Sequence, residues 1–261
     1  MLFGKTILVT GVASGIGART AELAGQMGAE VIGVDVREPV GGSAAFIKGD
    51  LSTASGVADI VAQLPVRLDA LANVAGLSGS TGVVSTLAVN FYGLRALSEA
   101  VAPRLREGGA IVNVASIAGY GWRANLDRAK SLAGIDGFPE VAAVVAEHGL
   151  KDEEAYPLSK ELLLLWTMRA AHQPLFKNRG LRVNAVSPGP VETPILKQFR
   201  AVLGDARVDS DITRVGRAGT SADIAPAVLF LCSDGARWIN GANIAADGGL
   251  EASINAEVLG F

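Results

Sequence analysis

Tyr156 and Lys160 stand four residues apart in Tyr156-Pro157-Leu158-Ser159-Lys160. The stretch 157–172 reads as a helix, so the two side chains share one face. A tyrosine hydroxyl, with an ordinary pKa near 10, is a poor base at neutral pH. An ammonium beside it favours the phenolate by Coulomb attraction and makes it a usable general base. Ser116 follows the β-branched run Ala110-Ile111-Val112-Asn113-Val114. Its hydroxyl can hold the oxygen of a carbinol or a developing alkoxide. Singly, each residue has an ordinary use: a strand-end serine capping a helix, a buried tyrosine, a surface lysine. Together they describe removal of a proton from an alcohol.

A second constellation lies near the N-terminus, where Thr6-Ile7-Leu8-Val9 runs into Thr10-Gly11-Val12-Ala13-Ser14-Gly15-Ile16-Gly17 and the chain turns helical. Glycines let backbone N–H groups approach a pyrophosphate closely, and the following helix presents its positive end to the anion. The spacing is G-x-x-x-G-x-G rather than G-x-G-x-x-G, and a plain tight turn is the alternative. About 20 residues further on, the next strand ends at Asp35, whose carboxylate can accept both ribose hydroxyls of an adenosine; a solvated loop carboxylate is the other reading. That carboxylate would repel a 2′-phosphate, and no Lys or Arg lies within 11–17, although Arg37 is nearby. NAD is therefore expected rather than NADP.

Strand-like runs at 6–9, 31–34, 70–74, 110–114 and 182–186 alternate with helical patterns at 15–28, 53–64, 88–106 and 157–172. Runs that are apolar on both faces suit buried parallel strands, and the β-α-β-α order predicts a single-domain, Rossmann-like, doubly wound α/β sheet over 1–261. Composition agrees. The 261 residues are 49% hydrophobic and 19% charged, with a formal net charge of −3, which gives no electrostatic footprint for nucleic acid or anionic lipid. The longest strongly apolar helical run, Leu162 to Met168, is far short of the roughly 20 residues of a membrane span. The chain from Met1 to Lys5 lacks the layout of a signal peptide, so a cytoplasmic location is expected. Cys232, the single cysteine, allows no intrachain disulfide, and two histidines without cysteine partners give no metal site.

In order and context, Thr10 to Gly17, Asp50-Leu51, Asn73-Val74-Ala75-Gly76, Asn90, Ser116, Tyr156 to Lys160 and Pro188-Gly189 resemble the short-chain dehydrogenases/reductases over essentially the whole chain. The resemblance implies that Tyr156 takes the hydroxyl proton while a hydride passes to the nicotinamide, or the reverse in carbonyl reduction. It makes Ser116, Tyr156, Lys160 and Asn90 the catalytic set, Asn90 positioning a water in a proton relay from the lysine. It places Gly11, Ser14, Gly15, Ile16, Gly17, Asp35, Asp50, Leu51, Asn73, Ala75, Gly76, Pro188, Gly189, Val191 and Thr193 along the cofactor with Tyr156 and Lys160, Thr193 bonding the carboxamide. A non-catalytic dinucleotide sensor would need none of Ser116, Tyr156 and Lys160.

About 40 residues separate Ser116 from Tyr156, where a simple βα connection needs 2–6. This insertion, about 118–153, is expected to carry a helix opened by Pro139, with Val141, Val144, Val145 and His148 at i, i+3, i+4 and i+7, and closed by Gly149. A long insert there resembles a subgroup that includes bacterial coniferyl-alcohol dehydrogenases and 3α-hydroxysteroid dehydrogenase/carbonyl reductases, the first more closely. Insert and 191–215 loop are expected to wall the pocket with Ile117, Tyr120, Trp122, Leu196 and Phe199, suiting a small, flat, hydrophobic alcohol or its carbonyl. Trp122 could equally pack the insert on the core. His148 and His172 are left without a role. The run Leu162-Leu163-Leu164-Leu165-Trp166 exceeds the needs of one buried helix face and points to a homodimer or homotetramer.

Overall fold

The computed structural model describes residues 2–40 and 45–260. The elements are β1 (Thr6–Thr10), α1 (Gly15–Gln26), β2 (Glu30–Asp35), β3 (Ala45–Lys48), α2 (Ala54–Ala62), β4 (Leu68–Asn73), α3 (Val83–Leu87), a π-helical turn at Ala88–Gly93, α4 (Leu94–Val101) and β5 (Leu105–Val114). A 3₁₀ segment (Ile117–Arg123) opens the insertion, followed by α5 (Leu126–Ala133), α6 (Val141–Glu147), α7 (Ala155–Ala170), α8 (Pro174–Lys177), β6 (Arg182–Pro188) and β7 (Val191–Glu192). The chain closes with α9 (Pro194–Leu203), α10 (Asp205–Val215), β8 (Gly219–Thr220), α11 (Ser221–Cys232), β9 (Asn243–Ala246) and α12 (Leu250–Leu259).

Seven strands form one parallel sheet in the order β3-β2-β1-β4-β5-β6-β9. The strands alternate their side chains between two apolar layers, as a period of two requires. Leu8, Leu71 and Ile111 enter the core shared with α2, α4 and α7, while Ile7, Val9, Ala70, Ala72, Ala110 and Val112 enter the one shared with α1 and α11. The strand order reverses between β1 and β4. At such a switch point the loops leaving the C-terminal strand ends diverge and open a crevice. Ser14, Asp35, Val74, Ser116 and Gly189 all sit just at or beyond those ends.

The expected helix 88–106 is divided. Ala88–Gly93 is a π turn, α4 stops at Val101, and Pro103, which has no N–H to continue the ladder, precedes β5. The short strands β3 and β9 escaped the sequence reading because four residues are too few to show a period. In the insertion, α6 lies where a helix was expected and Gly149 follows it at φ +60°, but it starts at Val141 after the N-cap Glu140, so Pro139 stands two residues before the helix rather than opening it; α5 was not anticipated.

The insertion packs as a cover on α7. Ala129 and Leu132 of α5 are fully buried with Leu162, Leu163, Leu164 and Trp166 of α7. The apolar run read as a subunit contact is thus consumed within the chain. Arg95 of α4, also buried, donates to Ala133 O at 3.3 Å and to Gly137 O, and its guanidinium lies 5.3 Å from the rings of both Phe91 and Tyr92. One cation thereby satisfies carbonyls at the end of α5 that no helix bond reaches.

Candidate active site

Ser116 and Tyr156 reach the same point from opposite elements. Ser116 lies two residues beyond the end of β5 and caps the 3₁₀ turn, its Oγ accepting from Ala118 N at 3.1 Å, which leaves the hydroxyl proton to be donated elsewhere. It lies within hydrogen-bond reach of the Tyr156 hydroxyl. Lys160, one turn along α7, is buried; its Nζ donates to Val114 O at 2.9 Å and lies 5.5 Å from the Tyr156 ring centroid. Burial governs both titrations. It pushes the Tyr156 hydroxyl up to about 12, against a smaller lowering by the bond with Ser116, and the Lys160 ammonium down to about 8. Lysine and tyrosine alone therefore keep the hydroxyl protonated, and forming the phenolate needs further positive charge beside it.

The glycine loop is built for close approach. A Cβ on Gly17 would stand 2.1 Å from Gly11 O, and one on Gly11, at φ +78°, 2.9 Å from the Ala75 backbone. Helix α1 starts at Gly15 after Ser14, whose side chain makes no cap bond, so the first-turn N–H groups face the crevice without a side-chain partner. Thr10 Oγ1 accepts from Val74 N at 2.9 Å and Ala75 N at 3.0 Å, locking the ends of β1 and β4 at the switch point. Asp35 is held by Ala13 N and Arg37 N, each at 3.0 Å on a different carboxylate oxygen. Asp50 Oδ1 accepts from Ser52 N at 2.8 Å, turning the chain so that Asp50 and Leu51 border the crevice.

A cavity of about 980 Å³ joins these groups. Beyond Tyr156 its walls are Tyr120 from the 3₁₀ segment, Ile195, Leu196 and Phe199 from α9, Val208 from α10, and Ile254 from α12. The Phe199 ring lies 4.5 Å from that of Tyr156, and Ser78 Oγ bonds Gln198 Oε1 at 2.7 Å, holding α9 over the site.

Residues 5–138 match the family described as short chain dehydrogenase, and residues 140–251 the one described as Enoyl-(Acyl carrier protein) reductase. The chain belongs to the short-chain dehydrogenase family. It is 41% identical to a coniferyl-alcohol dehydrogenase of Pseudomonas sp. (strain HR199 / DSM 7063), over 97% of this chain and 98% of that one. It is 32% identical to a 3-alpha-hydroxysteroid dehydrogenase/carbonyl reductase of Comamonas testosteroni, over 94% and 96% of the two chains. Among solved structures it is similar to the 3-alpha-hydroxysteroid dehydrogenase of Pseudomonas sp. B-0831 complexed with NADH, with TM-score 0.81, 32% identity, and coverage of 97% of this chain and 99% of that one. The protein is a short-chain dehydrogenase/reductase with a site for a nicotinamide dinucleotide.

Within this short-chain dehydrogenase, the structure brings Gly11, Ser14 to Gly17, Asp35, Asp50, Leu51, Ala75, Gly76, Ser116, Tyr156, Lys160, Pro188, Gly189, Val191 and Thr193 to the wall of one cavity. Thr193 Oγ1 donates to Val191 O at 3.2 Å. Asn73 is not at that wall: fully buried, it donates from Nδ2 to Ser98 Oγ at 2.8 Å and to Asn113 Oδ1 at 2.9 Å. Asn113 passes the chain on to Thr167 of α7, so this is a polar clamp inside the sheet. Asn90 is likewise buried behind the wall, bracketing Leu77 through N–H and C=O and donating to Ser159 Oγ at 3.1 Å. It ties the loop after β4 to α7. Trp122 borders a separate cavity of about 220 Å³ and packs on the core, under Arg123 at 4.4 Å from its ring.

None of residues 126–150 lines the large cavity. Its far wall comes from α10, inside the 191–215 stretch expected there, and from α12, which sequence reasoning missed. The spacing of Leu250 and Ile254 after Gly248-Gly249 was the available signal, since both face inward one helical turn apart.

Proposed function

We propose that this short-chain dehydrogenase uses NAD to oxidise the carbinol of a flat, aromatic allylic alcohol of the coniferyl-alcohol type, or reduces the corresponding carbonyl. The observation that carries the reading is the coupling of an aromatic and aliphatic cavity to the Ser116–Tyr156–Lys160 group, supported by the 41% identity with the coniferyl-alcohol dehydrogenase. Bound nicotinamide supplies the hydride acceptor and, in its oxidised form, a positive charge. Tyr156 takes the hydroxyl proton, Ser116 donates to the carbinol oxygen, and the buried Lys160 adds its charge from beneath. α9 excludes water from the reacting atoms by covering Tyr156.

Asp35 supports NAD over NADP. Its carboxylate is fixed at the end of β2 by two backbone N–H groups, where a ribose 2′-hydroxyl would donate to it and a 2′-phosphate would meet like charge. The second reading, oxidation of a 3α-hydroxysteroid, is favoured by the similarity to the NADH-bound steroid dehydrogenase. Reduction of NAD in a panel of coniferyl alcohol, cinnamyl alcohol, androsterone and simple secondary alcohols separates the two. Turnover of the aryl alcohols without androsterone supports the first, and androsterone alone replaces it with the second. Self-association as a homodimer or homotetramer is also proposed. Since the insertion covers α7, the contact has to use another face, and Phe230 of α11 with the exposed Trp238 before β9 offers apolar surface beside the sheet's open edge.

A further inference from the structure

The residues that α9, α10 and α12 present to the cavity are apolar except for one pair. Arg207 and Asp211 of α10 both line it, on the same helix face as the buried Val208. The other two carboxylates near the start of α10, Asp205 and Asp209, are exposed and turn away to Arg200 at 3.1 and 2.7 Å. Asp211 is different: its side chain is only 20% exposed, and its bond is to Arg207 Nε, at 3.3 Å on Oδ2. Among the described residues nothing donates to Oδ1. The pair does not suit the helix, because its cation lies in the first turn and its anion four residues later, the reverse of the order that complements the macrodipole and the i,i+4 preference. A carboxylate whose side chain is mostly sheltered, with one long bond on Oδ2 and Oδ1 left free, at the wall of the cavity, can accept from a ligand hydroxyl.

We infer that Asp211, held by Arg207, recognises a phenolic hydroxyl on the ring end of the substrate, opposite the carbinol that Tyr156 and Ser116 engage. The inference rests on the aryl allylic alcohol reading and names the ring substituent that this reading leaves open. A phenol is a stronger donor than an aliphatic alcohol, its pKa lying near 10, and a donor to a carboxylate makes a charge-assisted bond. The same oxygen disfavours a substrate whose far end carries only a carbonyl, such as a 17-ketosteroid, because two acceptors would face each other.

The test compares kcat/KM for coniferyl alcohol and for its methyl ether, 3,4-dimethoxycinnamyl alcohol, which keeps the ring and the carbinol but has no phenolic proton. Wild type, Asp211→Asn and Asp211→Leu are assayed, with NADH binding followed by fluorescence to show that each variant is folded. Wild type is expected to prefer the phenol by about tenfold or more, the worth of one hydrogen bond to a charged group. Asp211→Asn, which keeps a carbonyl acceptor, retains part of that preference, and Asp211→Leu removes it. Equal kcat/KM for the two alcohols in wild type, or an undiminished preference in Asp211→Leu, overturns the assignment. If wild type oxidises androsterone and neither cinnamyl alcohol, the aryl alcohol reading falls and this proposal falls with it.

Discussion

Ser116 shows how one side chain meets two demands. It satisfies a turn with a lone pair and still has its proton to donate, so the capping use does not compete with the catalytic use proposed for it. Tyr156→Phe removes the proton-accepting oxygen while preserving the ring against Phe199; turnover is expected to fall by about 10²–10⁴-fold, the usual contribution of a general base, with NADH binding unchanged in a fluorescence titration. Retained turnover would remove Tyr156 from the mechanism. Asp35→Ala should raise the KM for NAD by about tenfold or more through loss of charge-assisted bonds to the ribose, and narrow the gap to NADP by also lifting the repulsion of the 2′-phosphate. Equal losses with both cofactors would show that Asp35 only braces the glycine loop through Ala13.

At the scale of elements, the insertion explains a helix whose sequence is apolar nearly all round. α7 is walled by the sheet on one side and by α5 and the 3₁₀ segment on the other. α7 is therefore positioned from both sides, and weakening its cover is expected to disturb Tyr156 and Lys160 together. Leu132→Ala, at a fully buried contact, is expected to cost about 2–5 kcal/mol, read as a lower unfolding midpoint in denaturant. A cost below about 1 kcal/mol would mean that α5 only rests on the core. α9 and α10 are bridged by Arg200, and the Ser78–Gln198 bond ties α9 to the loop after β4.

For the whole molecule, the buried site makes stability depend on pH. Folded Lys160 titrates at about 8 against an ordinary 10.5 because burial penalises its charge, so between those values the folded protein binds fewer protons than the unfolded chain and stability rises with pH. Tyr156, raised from 10.0 to about 12 by burial, acts oppositely: above pH 10 the folded state holds a proton that the unfolded state releases, and stability falls. Thermal unfolding of wild type is thus expected to shift upward between about pH 8 and about pH 9.5 relative to Lys160→Met, which lacks the titration. Parallel profiles for the two proteins would show that the buried ammonium is not what couples folding to pH.

The doubly wound sheet is legible in the residues alone, because strands buried on both faces and helices with one apolar face leave few other arrangements. So are the glycine loop, Asp35, and the Tyr156–Lys160 spacing, since these depend on local geometry: a tight turn, a strand end, one helical turn. Relations between distant segments emerge only from the folded packing. That the apolar run of α7 faces the insertion rather than another subunit, that Asn73 and Asn90 look into the frame rather than the cavity, and that Val208, Asp211 and Ile254 complete the substrate end each depend on which face packs where. Periodicity marks a face as apolar or polar. Only packing selects its neighbour, because apolar surface is attracted to any apolar surface alike.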